Sequence, residues 1–226
     1  LHAYRFATLK DQKNVDSVAL VNNLKQEIYP AYIRDECWFV HAYNQPVLDL
    51  FSITDQDLDQ SNWLGWNVMA TKYHPDSKVL YAHGENAELY FPRALKQYFE
   101  KTARYFFTAQ MREIRNRLWP LSEDYQEWWN LFTGLQANYK QIQFLHRDIR
   151  YDGHWLSFAL NDDDFTVEVD GRRLPYTKVV WMPRDSDAIR VTAELAQKNT
   201  GKIYFAANYN IESYNDWIKE KPSTRR

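Results

Sequence analysis

Apolar positions change their spacing near residue 140 of this 226-residue chain. Before that point they recur at three- and four-residue intervals in segments bounded by Pro and Gly. Beyond it they alternate in short runs separated by Asp-Gly and Asn-Asp turns. The pattern predicts an α+β fold in which an N-terminal helical subdomain (residues 1–139) precedes a C-terminal antiparallel, β-sandwich-like subdomain (140–212) and a polar basic tail (213–226).

Within the first part, Phe6, Leu9, Val18, Val21, Leu24 and Ile28 mark an amphipathic helix that stops before Pro30. Residues 33–51 are dense in apolar side chains without a clean period and are read as a second helix interrupted by Pro46. A long helix is predicted from Pro92 to Trp119, with Pro92 at its first position and Arg112, Arg115 and Arg117 beside its carbonyl end. Another follows Ser122 and ends at Gly134. In the second part, period-two runs begin at Ile142, Leu156, Phe165, Val179, Ile189 and Ile203 and predict six short strands.

Composition narrows the function classes. The 28 basic and 30 acidic residues leave a net charge of -2, which gives no electrostatic case for nucleic acid. No run of about 18 apolar residues is present to span a bilayer. A single cysteine, Cys37, excludes an internal disulfide framework. The start at Leu1 and the basic tail predict either an excised portion of a longer protein or a chain without its first residues. Aromatic residues reach 16%, a share that suits a packed core and also a recognition surface.

No catalytic constellation assembles from the motifs, so no cofactor and no metal is expected. His146-Arg147-Asp148 has the opening of a kinase catalytic loop, but the position five residues after the Asp is Gly153, not Asn. The acids from Asp55 onward lack the Gly and the bidentate acid of a calcium loop. Asp162, Asp163 and Asp164 read as turn formers. Cys37 and His41 are four apart and would meet on a helix, without an orienting third group, while His74 and His83 read as surface histidines.

One stretch carries a family likeness. Phe165-Thr-Val-Glu-Val-Asp-Gly-Arg-Arg-Leu-Pro-Tyr176, then Val180-Trp-Met-Pro183 and the run around Ile189-Arg-Val191, resembles the C-terminal β-domain of the TssM/IcmF proteins of type VI secretion. The likeness covers about 30 residues, and Asn208-Tyr-Asn-Ile-Glu212 with Trp217 replaces the Trp-rich ending of that family. It implies the periplasmic part of an inner-membrane protein: a non-enzymatic scaffold that docks an outer-membrane lipoprotein. The residues expected to touch that partner sit on hairpin tips and beside them: Tyr151, His154, Trp155, Arg172, Arg173, Tyr176 and Trp181. The rival expectation is a hydrolase or carbohydrate-binding module whose aromatic cleft uses Glu85, Glu88, Asp148 and Asp152. A ligand-sensing ectodomain is a third.

Overall fold

Strand pairing sets the architecture. The computed structural model describes residues 17–54, 67–103, 109–133, 146–169 and 172–205. In chain order these form α1 (Ser17–Lys25), β1 (Ala31–Asp35), β2 (Val40–Asn44), α2 (Gln45–Leu50), α3 (Val68–Tyr73), α4 (Lys78–His83), α5 (Ala87–Thr102), α6 (Ala109–Leu118), α7 (Glu123–Thr133), β3 (Arg147–Tyr151), β4 (His154–Val169), β5 (Arg172–Pro183), α8 (Ser186–Lys198) and β6 (Ile203–Phe205). All six strands join one open antiparallel sheet in the order β3-β4-β5-β1-β2-β6.

The fold is α+β, as the apolar pattern predicts, but strands from both sides of residue 140 share the sheet. Ala31 pairs with Val180 and Asp35 with Tyr176, so β1 completes the edge of β5. Residues 31–44 are therefore a hairpin rather than a helix. Three buried positions out of five in β1 and four out of five in β2, read together with Pro46, imitate an irregular helix. The run around Ile189 is likewise a helix, α8, and not a strand. Asp185 caps it by accepting from Ala188 N at 2.7 Å, and Ala188, Val191 and Leu195 bury its inner face. Residues 165–169 continue β4 instead of opening a new strand. The predicted helix at 92–119 begins earlier, at Ala87, and holds Pro92 inside its first turns; its described helical parts are α5 and α6, and residues 104–108 lie outside the described residues. The acidic stretch from Asp55, the junction at 139/140 and the tail at 213–226 lie outside the described residues.

The sheet is covered on both faces. One face presents Ile149, Leu156, Phe158 and Trp181 to α2, α3, α5 to α8 and the aromatic residues they carry. The opposite face buries Ile33, Ala42, Val167, Tyr176 and Val180 against Leu20 and Leu24 of α1. Alternation along β1 and β5 assigns these faces, since neighbouring strand residues point to opposite sides. Asn44 joins the layers. Fully buried, it accepts from Ala31 N (2.9 Å) and Val47 N (3.2 Å) and donates to Tyr29 O (2.7 Å) and Glu27 O (3.3 Å). One side chain thereby caps α2 and fixes the entry to β1.

Candidate functional site

The helix-covered face of the sheet holds a cavity of about 210 Å³ between β1, β4 and β5 on one side and α3 and α5 on the other. Pairing across the strands builds its floor. Asp162, Val179 and Tyr32 fall in one row through β4, β5 and β1, and Leu160 stands opposite Trp181 in the next. Arg34, two residues along from Tyr32, lies on the same face. Its Nη2 reaches over β5 to Asp162 Oδ2 at 2.9 Å.

Helix α3 supplies the roof. Asn67 caps it by accepting from Met69 N at 2.9 Å and donates to Cys37 O at 3.1 Å, which ties the helix to the β1–β2 turn. Val68 N also donates to Trp38 O at 3.0 Å. Lys72, one turn after Val68, is thereby held against the cavity, and α5 adds Arg93 and Gln97 beside it. Arg147 closes the far wall from β3, where its Nη1 donates to Tyr90 O at 3.5 Å.

Four arginine and lysine side chains thus line one small cavity, Arg34, Lys72, Arg93 and Arg147, with His146 beside them. Asp162 is the single carboxylate among the described lining residues. Arg34 and Lys72 are buried, with 4% and 6% of their surface exposed, whereas the Asp162 side chain is 41% exposed and so offsets little of that charge. Lys72 has no ion pair among the described residues. Its Nζ sits 4.6 Å from the centre of the Phe91 ring. The Arg34 guanidinium stacks 4.0 Å above Trp38, an arrangement that fixes its plane.

Titration behaviour follows from this crowding. Burial drives the Lys72 ammonium well below the usual lysine range, and the positive charges of Arg147 and Arg34 push it further down. Burial also lowers Arg147; Tyr32 counters that shift and Arg93 adds to it. The Tyr32 hydroxyl is pushed up to about 12 by burial, with Arg34 pulling in the opposite direction. These groups feel one another and form one electrostatic unit. Arg34 Nε and Trp181 Nε1 are both buried donors without a hydrogen-bond partner among the described residues. Each such donor costs about 1–3 kcal/mol. Exposed His146 and half-exposed Asp162 mark the side on which the cavity meets solvent. A cluster of this kind suits an anion: guanidinium groups supply paired N–H donors, and Lys72 beside them makes no ion pair among the described residues.

No protein-family model matches this sequence, and no curated protein matches it. The solved PAS domain of Bordetella pertussis BvgS aligns at 15% identity with a TM-score of 0.34, covering 80% of this chain and 97% of that one. At that score the likeness carries no inference about fold or activity.

Of the residues expected from the sequence, Trp181 lines the cavity and the others fall elsewhere. Tyr151, His154 and Trp155 lie at the β3–β4 hairpin end, where Trp155 is 42% exposed. Arg172 and Arg173 lie at the other end of β4, opposite Val169 and Glu168, so the two tips form no common patch. Tyr176 and Trp181 are buried. Tyr176 packs edge-on against His41 at 5.1 Å, and Trp181 against Phe51 at 5.2 Å. They act as core side chains on opposite faces of the sheet. Glu85, Glu88 and Asp152 are exposed, and none of them, nor Asp148, lines the cavity. Asp148 instead accepts from Tyr90 Oη at 2.9 Å.

Other motifs are reassigned by the same geometry. Asp162, Asp163 and Asp164 lie within β4 rather than in a turn, where Asp163 meets Lys178 at 3.5 Å and Asp164 accepts from Thr177 Oγ1 at 2.7 Å. Cys37 belongs to the β1–β2 turn and His41 to β2, where its Nε2 lies 3.1 Å from Asp35 Oδ2. His74 and His83 are buried, not on the surface. His83 Nδ1 donates to Val79 O at 2.8 Å, and burial drives its imidazole well below the ordinary histidine range. Among the described residues no group of three or more His, Cys, Asp or Glu could hold a metal ion. No described helix is long and apolar enough to cross a membrane.

Of the four cations only Arg147 stands in a motif, His146-Arg147-Asp148, and that motif points to a different chemistry. One signal was present: Tyr32 and Arg34 alternate with Ala31 and Ile33, which places a cation on an inward-facing strand position.

Proposed function

We propose that this chain is a binding domain for a small organic anion. The observation that carries this reading is the cavity in which Arg34, Lys72, Arg93 and Arg147 face one half-exposed carboxylate. The paired N–H donors of the arginines favour a ligand with two or more negative charges. At about 210 Å³ the space suits a molecule smaller than the drug-sized ligands that occupy roughly 300–1,000 Å³. Trp38, Tyr32 and Trp181 surround the polar groups with aromatic surface, which excludes water and strengthens each charge-assisted contact. Thermal-shift and calorimetric titration with succinate, glutarate, citrate and phosphate tests the reading. Multivalent anions should raise the melting temperature above a chloride control of equal ionic strength, and Arg34→Met should remove the effect. No stabilisation by any of the four would refute it.

Trp155 favours a second, separate reading as a protein-docking scaffold, because a large aromatic stands exposed at a hairpin tip. That proposal includes the periplasmic placement and the outer-membrane lipoprotein partner implied by the TssM/IcmF likeness. Loss of lipoprotein binding in Trp155→Ala with the fold intact would support it, and unchanged binding would sink it.

A further inference from the structure

We infer that Lys72 forms a covalent imine with a carbonyl-bearing organic acid held in the cationic cavity. The inference rests on the anion-site reading above and adds a chemistry to it. Lys72 lines the cavity from α3 without an ion pair among the described residues, whereas Arg34 is engaged by Asp162 and braced on Trp38. Lysines are activated as nucleophiles in this setting, desolvated and next to other cations. The groups that face the cavity with it are Arg34 and Tyr32 from β1, Arg93 from α5, His146 and Arg147 at β3, and Asp162 from β4. Burial and the two arginine charges raise the share of free amine on Lys72, in agreement with the geometry.

Division of labour follows from the chemistry of the side chains. Guanidinium groups hold carboxylates through paired N–H donors and stay charged, while an amine can add to a carbonyl carbon. In the step proposed, Nζ forms the C–N bond and the carbonyl oxygen takes up a proton to give a carbinolamine. The nitrogen then loses its remaining proton as the hydroxyl departs with one as water, leaving the imine. Amine and carbonyl give imine and water, with no oxidant or reductant consumed. A keto acid fits both halves of the site, and a plain dicarboxylate fits only the anion half.

The probes are 2-oxoglutarate, which carries the ketone, and glutarate, which has the same five-carbon diacid chain without it. Calorimetry reports binding of each to the full chain, and sodium cyanoborohydride reduces any imine to a stable secondary amine seen by intact-mass and peptide mass spectrometry. The expected result is one 2-oxoglutarate adduct per chain, mapped to Lys72, suppressed by excess glutarate and lost in Lys72→Arg, with Lys72→Met as a second variant. Binding of both acids without an adduct, or equal labelling of Lys72→Arg, would overturn the imine and leave the anion site standing. Binding of neither acid would overturn both. If both variants fail to fold, the peptide map of the wild-type adduct decides: Lys72 supports the inference, and any other lysine refutes it.

Discussion

Replacing Lys72 with Met should stabilise the protein while weakening anion binding. The lysine is buried, desolvated and faced by Arg147 and Arg34, so its folded-state affinity for a proton is reduced relative to the unfolded chain. The sign is fixed by linkage. A lysine with a lowered folded pKa is a liability at and below that pKa, and the liability shrinks as pH rises toward the unfolded value of about 10.4. Each pH unit within that window is worth about 1.4 kcal/mol, and roughly three units separate pH 7 from the unfolded value, so the penalty at pH 7 cannot exceed about 5 kcal/mol. The Phe91 contact returns some of this, and Met keeps most of the apolar stem of lysine. The expected gain is about 1–4 kcal/mol at pH 7. Urea denaturation of both proteins between pH 7 and 10.5 reads it directly. The stability difference should be largest at the low end and close as pH rises. A variant that is less stable than wild type at pH 7, or a difference independent of pH, would refute the assignment of Lys72 as a desolvated lysine whose proton affinity falls on folding.

Further predictions concern the frame around the cavity. Asn44→Asp replaces two donors by an acceptor facing Tyr29 O and Glu27 O and should cost about 2–4 kcal/mol in chemical denaturation. Asp185→Ala removes the cap on Ala188 N and the acceptor for Ser157 N, each at 2.7 Å, and should cost about 2–4 kcal/mol while loosening α8 from β4 in hydrogen exchange. His83 stays neutral in its buried aromatic setting, whereas in the unfolded chain it gains a proton below its ordinary value of about 6.5. Wild-type stability should therefore fall relative to His83→Phe as pH drops from about 6.5, by up to about 1.4 kcal/mol per pH unit, until the folded imidazole itself protonates.

The helices that bury one broad stripe were legible in the sequence, and the strands embedded in the helical half were not. The face of α5 formed by Leu95, Tyr98, Phe99 and Thr102 follows the 3.6-residue period because a single side of that helix meets the core. β1 and β2 lie inside the sheet and bury both of their faces, so no alternation of apolar and polar residues marks them as strands. The reverse error at Ile189 has a local cause. Ile189 and Val191 mimic alternation, but Ile189 is 57% exposed, and the Asp185 cap decides for helix. The candidate site was hidden for a third reason. Arg34, Lys72, Arg93 and Arg147 come from four elements, spread over more than 110 positions of sequence, and only the sheet order brings them together.

The position of β1 beside β5 has a consequence for how the chain is made. Residue 31 must wait for residue 180 before its outer edge is paired. At a synthesis rate of about 5–20 residues per second that interval lasts roughly 7–30 s on the ribosome. During it the β1–β2 hairpin presents an open, apolar edge of the kind that recruits other strands. The nascent chain therefore has a long window of exposure to aggregation or to chaperones, which closes only when the β4–β5 hairpin emerges and docks.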